Sequence, residues 1–281
     1  MTTTAIVGLG SMGYGMAQSL LRAGMRTHGY DISAERTAQF QAEGGAEGAL
    51  GDVASTLDAL VVVVLNAAQT EDVLFGANGV VAGLRPGAIV LSCATVPPAF
   101  AREMETRCAT SGVFYLDAPI SGGAAKAASG QLSIMASGSP TAFAAARPVL
   151  DAMAETVFEL GDAAGAGSAM KAVNQLLAGV HIATMAEALT FGMTQGVTPA
   201  AFVEVISKCA GTSWMLENRA PHIVDGDYAP RSSVNIWPKD LGIVLDIARE
   251  AGFEAPITDT ALAQFKAAAE MGLGGVDDAA V

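Results

Sequence analysis

Gly8, Gly10 and Gly13 stand in Gly8-Leu9-Gly10-Ser11-Met12-Gly13, directly after the apolar run Thr4-Ala5-Ile6-Val7. Met16, Ala17, Leu20 and Leu21 follow at helical spacing. A strand, a glycine turn and a helix in that order can hold a dinucleotide. Gly8 allows the tight turn, Gly10 lets the backbone approach the pyrophosphate, and Gly13 lets the helix pack close to the strand. The helix start offers N–H groups and a positive dipole end to the phosphates, and Gly24 ends that helix. Asp31 closes the next strand, about 20 residues on, where a carboxylate accepts bonds from ribose hydroxyls. It also repels a 2′-phosphate, so the expected cofactor is NAD rather than NADP.

Moving a hydride also requires a group that takes the hydroxyl proton. The histidines are poor candidates. His28 sits inside a strand, His181 lies mid-helix among apolar neighbours, and His222 follows Pro221 in a loop-like stretch. None has a neighbouring acid in sequence to orient it. Lys171 is the better base. It lies in Ala169-Met170-Lys171-Ala172-Val173-Asn174-Gln175, on the first turn of a long helix. A helix N-terminus and apolar surroundings both disfavour an ammonium and should lower its pKa. The alternative is a lysine that extends to solvent. Asn174 and Gln175 share its face.

Asp117-Ala118-Pro119-Ile120-Ser121-Gly122-Gly123 follows a strand end, where open α/β sheets bind ligands. Ser121 and the N–H groups of Gly122 and Gly123 could cradle a carboxylate, or the segment is a plain connection. Thr95 also follows a strand, and either reaches the nicotinamide side or caps the helix starting at Pro97. Lys239-Asp240 opens a late helix, with a solvated charge pair as the plain reading.

The elements that must position these residues alternate up to about residue 160. Strands are expected at 59–65, 87–92, 113–118, 131–136 and 156–160, with helices at 97–108 and 140–153 between them. This is a doubly wound Rossmann sheet. Strand signals then stop. A long helix runs over 168–195, roughly 40 Å at 1.5 Å per residue. Helices follow at 199–209, 213–224, 239–251 and 256–271. The expected domains are 1–162, binding NAD, and 163–281, all-helical, serving substrate and oligomerisation.

Composition sets the class. The net charge of −13 over 281 residues argues against nucleic acid. The 51% hydrophobic content points to a large core or a subunit interface, hence a homodimer or homotetramer. The apolar run 59–65 is strand-sized, so no membrane partner is expected. No basic or apolar leader precedes the first motif. Cys93, Cys108 and Cys209 fit neither a disulfide framework nor a metal site, and read as buried free thiols in a reducing cytoplasm.

These segments together resemble the β-hydroxyacid dehydrogenase family over essentially the whole chain. Gly8 to Gly13 with Met16 is similar to its cofactor signature. Asp117 to Gly123, with Ala127 and Gly130, is similar to its substrate signature. Gly165-Ala166-Gly167-Ser168-Ala169-Met170-Lys171-Ala172-Val173-Asn174 is similar to its catalytic signature, and Lys239-Asp240-Leu241 to its late lysine motif. The resemblance implies oxidation of a small hydroxy acid, with Lys171 as general acid/base. It places Ser121, Gly122 and Gly123 on the substrate carboxylate. Asn174 would support substrate or lysine, and Thr95 and Lys239 would lie near nicotinamide and substrate. Leu65 and Asn66 would border the adenosine half, beside Leu9, Ser11 and Met12 of the glycine turn. Gln175 stands where the family often has a second asparagine. The strings 64–69, 176–183 and 213–228 resemble a branch that acts on a four-carbon acid. They make Asn218 and Arg219 candidates for its extra hydroxyls, with a helix end and a structural ion pair as the equal alternative. A catalytically idle dinucleotide-binding protein remains the non-enzyme alternative.

Overall fold

The computed structural model describes residues 1–281. Its elements are β1 (Thr3–Val7), α1 (Gly13–Arg22), β2 (Arg26–Tyr30), α2 (Ala34–Ala42), α3 (Leu50–Val53), β3 (Ala59–Val62), α4 (Ala67–Phe75), β4 (Ile89–Ser92), α5 (Pro98–Thr110) and β5 (Phe114–Asp117). Next come β6 (Ile120–Ser121), α6 (Gly123–Ser129), β7 (Leu132–Ala136), α7 (Pro140–Met153) and β8 (Ala154–Glu159). Helices complete the chain: α8 (Ala166–Thr194), α9 (Pro199–Ile206), α10 (Trp214–Asp225), α11 (Ile236–Glu250) and α12 (Pro256–Ala268). Two compact units divide it, Met1–Lys171 and Ala172–Val281. The first turn of α8 is bonded to β5 and to the residue after β7, and belongs to the first of these units.

The first unit holds a parallel sheet in the order β2-β1-β3-β4-β5. The chain leaves β1 and β3 toward opposite edges, so their C-terminal ends form the topological switch point where such sheets bind ligands. Side chains alternate between two cores, as a strand's period of two dictates. Ile6, Val61, Ile89 and Leu91 pack with Met16, Leu20 and Leu150 on one face. Ala5, Leu60, Val62 and Val90 pack with Leu74 and Met104 on the other.

One expectation needs correction. Strands 131–136 and 156–160 do not extend the parallel sheet. They form a second sheet, β6-β7-β8, with β6 antiparallel to β7. The two-residue strand β6 follows Pro119, which has no N–H to donate. Only the bridge between Asp117 and Ser137 links the two sheets.

The second unit is helical around Ile182, Met185, Trp237, Leu241, Leu262 and Phe265. Its C-terminal residues Asp277 and Asp278 are fully buried. Helix α8 has 29 residues and a mean hydropathy of 1.4 over its most apolar 18-residue window, long and apolar enough to cross a membrane. The apolar stretch at 59–65 is therefore not the one that matters for that question. The cysteine expectation is also corrected in part. Cys93 and Cys108 are buried free thiols, both pushed up to about 12 by burial, but Cys209 is exposed.

The Phe265 ring is fully buried and stacks on Trp237 with centroids 5.4 Å apart. Phe265→Ala is expected to lower stability by about 3–5 kcal/mol through transfer and cavity terms, read from urea denaturation followed by tryptophan fluorescence.

Candidate active site

The glycine turn separates fold requirements from ligand requirements. Gly8 has φ +99°, and a Cβ there would lie 2.2 Å from the Val63 carbonyl oxygen. A Cβ on Gly13 would lie 1.8 Å from the Gly8 oxygen. Both must be glycine for the chain to fold this way. A Cβ on Gly10 would meet no protein atom within 4 Å. Packing does not demand that glycine, whereas a pyrophosphate lying against the backbone does. Met12, at the N-cap of α1, makes no side-chain capping bond; the Tyr14 N–H bonds the Gly10 carbonyl at 3.1 Å, and the positive end of the helix faces the turn. The residues present therefore fit a dinucleotide.

Asp31 holds this turn in place as well as facing it. Its Oδ2 accepts the Leu9 N–H at 2.7 Å, and its Oδ1 accepts the Ser33 N–H at 2.9 Å. Arg36 donates from Nη1 to the Leu9 carbonyl at 2.6 Å. Sequence reasoning missed Arg36; the available signal was a basic residue in the first turn of the helix after Asp31. Gly10, Ser11, Tyr14, Arg36 and Ala124 line a cleft of about 380 Å³. Leu65 is exposed just beyond β3, and Asn66 caps α4 by accepting from the Gln69 N–H at 2.9 Å. Thr95 lies half-buried between β4 and α5.

Lys171 does not extend to solvent. It is 9% exposed, and its Nζ donates to the Ile120 carbonyl at 2.9 Å. That bond ties the amine to the residue immediately before the Ser121, Gly122, Gly123 segment. Gly122 and Gly123 have φ of +136° and +76°, and open space surrounds the Cβ position of Gly123. Behind them, Asp117 is fully buried. Burial pushes its carboxyl above 3.8, although bonds from Ser168, Gly165 and Ser137 pull the other way.

Asn174, Gln175, Asp240 and Lys239 form a chain within the second unit. Asn174 Nδ2 donates to Gln175 Oε1 at 3.0 Å, and Gln175 Nε2 donates to Asp240 Oδ2. Lys239 pairs with Asp240 Oδ1 at 2.7 Å. Asp240 is buried, so this is not a solvated pair. Arg219 engages Asp278 through Nε and Nη2 and Asn218 through Nη1. His222 lies within α10 rather than in a loop, and its Nδ1 stands 2.9 Å from Asp277 Oδ1. An acid therefore does orient it, from 55 residues away. Burial alone would raise the Asp277 carboxyl, but bonds from His222, Arg231 and Ala279 hold it below 3.8. His28 is buried in β2, where burial first and Arg26 second lower its pKa.

Comparison with known proteins agrees with this geometry. Residues 3–161 match the NAD binding domain of 6-phosphogluconate dehydrogenase, and residues 165–281 match the NAD-binding domain of NADP-dependent 3-hydroxyisobutyrate dehydrogenase. The chain is 50% identical to L-threonate dehydrogenase of Cupriavidus necator, over 98% of this chain and 93% of that protein. The Escherichia coli L-threonate dehydrogenase is 48% identical, over 98% and 92%. The chain belongs to the β-hydroxyacid dehydrogenase family. A crystal structure of 3-hydroxyisobutyrate dehydrogenase from Salmonella typhimurium superposes with a TM-score of 0.94 at 46% identity, covering 100% of this chain and 98% of that one. The protein is accordingly a hydroxyacid dehydrogenase that uses a nicotinamide dinucleotide.

The two glycine environments give opposite expectations. Gly13→Ala should lower the melting temperature, because the Gly8 carbonyl must move. Gly10→Ala should melt near wild type yet weaken NADH binding by roughly tenfold or more, read by fluorescence titration.

Proposed function

We propose that this dehydrogenase oxidises the C2 hydroxyl of L-threonate to give the corresponding 2-oxo acid, with NAD as acceptor. The observation that carries this reading is the near-full-length identity of 48% and 50% to two L-threonate dehydrogenases. Residues 1–162 are read as the NAD-binding domain and 163–281 as the substrate and oligomerisation domain.

With its pyrophosphate held at the glycine turn, a bound dinucleotide would supply the nicotinamide as hydride acceptor. Lys171, in its neutral form, takes the hydroxyl proton; its burial beside the Ile120 carbonyl supports that role. Ser121 and the Gly122 and Gly123 N–H groups hold the substrate carboxylate. Asn174 and Lys239 are read as further substrate contacts, and Leu9, Ser11, Met12, Leu65, Asn66, Thr95 and Lys239 as cofactor neighbours. The Asp31 carboxylate favours NAD over NADP by like-charge repulsion of a 2′-phosphate.

A second reading, 3-hydroxyisobutyrate as substrate, is favoured by the name of the crystal structure at 46% identity. A panel of L-threonate, 3-hydroxyisobutyrate and tartronate semialdehyde, each with both cofactors, separates the two. Highest kcat/KM with L-threonate and NAD is expected, and highest kcat/KM with 3-hydroxyisobutyrate replaces the first reading with the second. Lys171→Ala should lower kcat on the order of 10²- to 10⁴-fold while NADH still binds. Near-normal turnover in that variant would refute the acid/base assignment.

The reading extends to assembly and compartment. Val173, Leu177 and Phe191 are 54%, 49% and 65% exposed and fall on one stripe of α8 at 100° per residue. A long apolar stripe of that kind is covered by another surface, and a homodimer or homotetramer covers it. The free thiols fit the cytoplasm. Sedimentation is expected to give a dimer or tetramer, and Leu177→Glu with Phe191→Glu is expected to shift the protein toward monomer.

A further inference from the structure

Asp117 takes no part in the proton transfer assigned to Lys171, yet it is among the most heavily bonded side chains of the first unit. Its Oδ2 accepts the N–H groups of Gly165 at 3.0 Å and Ser168 at 2.8 Å. Its Oδ1 accepts the Ser168 hydroxyl at 2.7 Å. Ser137 Oγ donates to Oδ2 at 3.2 Å and in turn accepts the Gly167 N–H at 2.9 Å. The opening N–H groups of a helix have no carbonyl within that helix to bond. In α8, those of Gly167 and Ser168, together with the N–H of the preceding Gly165, are paired with Ser137 and Asp117.

The contact is close as well as polar. A Cβ on Gly167 would lie 2.3 Å from the Met135 carbonyl oxygen and 2.9 Å from that of Asp117. Gly165 has φ +111°, and a Cβ there would lie 2.7 Å from Arg102 Nη1. The helix start is thus seated directly on the end of β5 and on the chain leaving β7. Lys171 stands three residues beyond Ser168 on the same helix face. Its amine ends on the carbonyl of Ile120, itself three residues beyond Asp117. Asp117 is therefore the common root of two arms. One is the helical turn that carries Lys171, and the other is the loop that carries Ser121, Gly122 and Gly123.

We propose that Asp117 is a positioning residue, whose clamp on the start of α8 fixes the Lys171 amine relative to the Ser121–Gly123 loop. The proposal rests on the reading of Lys171 as the acid/base. Its physical content is geometric. Replacing the carboxylate by an amide loses one acceptor oxygen and sets an NH2 group against N–H donors. The first turn must then shift, and a shift of about 1 Å in a reacting group can cost on the order of 10²-fold in rate.

The test compares Asp117→Asn and Ser168→Ala, alone and combined with Lys171→Ala. Ser168→Ala removes only the hydroxyl bond, so it remains informative if Asp117→Asn does not fold. In folded protein, kcat with the best substrate is expected to fall on the order of 10²-fold in Asp117→Asn and roughly tenfold in Ser168→Ala. The Kd for NADH, by fluorescence titration, should stay near wild type. In the Lys171→Ala background, neither change should lower the residual turnover further, because both act through that amine. A merely structural residue would lower it in both backgrounds. The proposal is overturned if kcat is undiminished in whichever of the two single variants fold, or if the losses are fully additive with Lys171→Ala. Near-normal turnover of Lys171→Ala alone defeats the acid/base reading instead, and this proposal with it.

Discussion

A buried carboxylate bonded to the start of a 29-residue helix is the constraint on which the arrangement of the first unit depends. Asp117 is fully out of water, where an ionised carboxylate without partners would be strongly disfavoured. Two backbone N–H groups and two hydroxyls surround it, and the positive end of a helix dipole favours its charge. The converse also holds. Without it, the N–H groups of Gly165 and Ser168 would be buried and unpaired, each at a cost of about 1–3 kcal/mol. Carboxylate and helix end therefore stabilise one another. Sequence positions 48 to 51 residues apart are joined by these bonds.

The same device recurs at the other side of the sheet. Asp31 ends β2 and accepts the N–H of Leu9 in the glycine turn; Arg36 takes the carbonyl of the same residue. A residue held at both its N–H and its carbonyl has little freedom, so the backbone next to Gly10 is already shaped before any phosphate arrives. Such preorganisation lowers the ordering cost of binding. Both acids stand at the C-terminal ends of the parallel sheet's two edge strands, β2 and β5. In each case a strand end fixes a loop that carries chemistry.

Much of this was legible in the residues. The alternation of apolar runs with helical stretches located β1 to β5, because strands buried on both faces have few polar interruptions. The glycine spacing pointed to a tight turn between β1 and α1, and the Cβ positions of Gly8 and Gly13 make its steric reason explicit. Helix starts were legible where Pro140, Pro199 and Pro256 occupy a first turn. What escaped was long-range. Nothing local to Ile120-Ser121 says that this pair leaves the parallel sheet to lie antiparallel on β7. Nothing near His222 shows that Asp277 will orient it. The tie between Asp117 and Ser168 was likewise invisible, although one residue lies in the substrate signature and the other in the catalytic one. Spacing along a chain reports which face a residue shares, not which distant residue meets it.

The cluster at the C-terminus narrows where substrate recognition can arise. Arg219 was a candidate for reading extra hydroxyls, but all three of its guanidinium nitrogens face protein acceptors, on Asp278 and Asn218. Trp237 Nε1 donates to the same Asp278 at 2.9 Å. These groups hold the tail of the chain against α10 and α11, and three of the five N–H donors of Arg219 are committed within the fold. The distinction that matters is between a hydroxylated acid and one bearing a methyl group. A site built to hydrogen-bond a hydroxyl rejects the analogue lacking it far more strongly than an apolar pocket rejects an added hydroxyl. Discrimination between L-threonate and 3-hydroxyisobutyrate therefore requires polar atoms that are not already committed within the fold. The Asn174 carboxamide meets that requirement better than Arg219, since the hydrogen bond it makes to Gln175 uses its nitrogen and leaves the carbonyl oxygen as an acceptor.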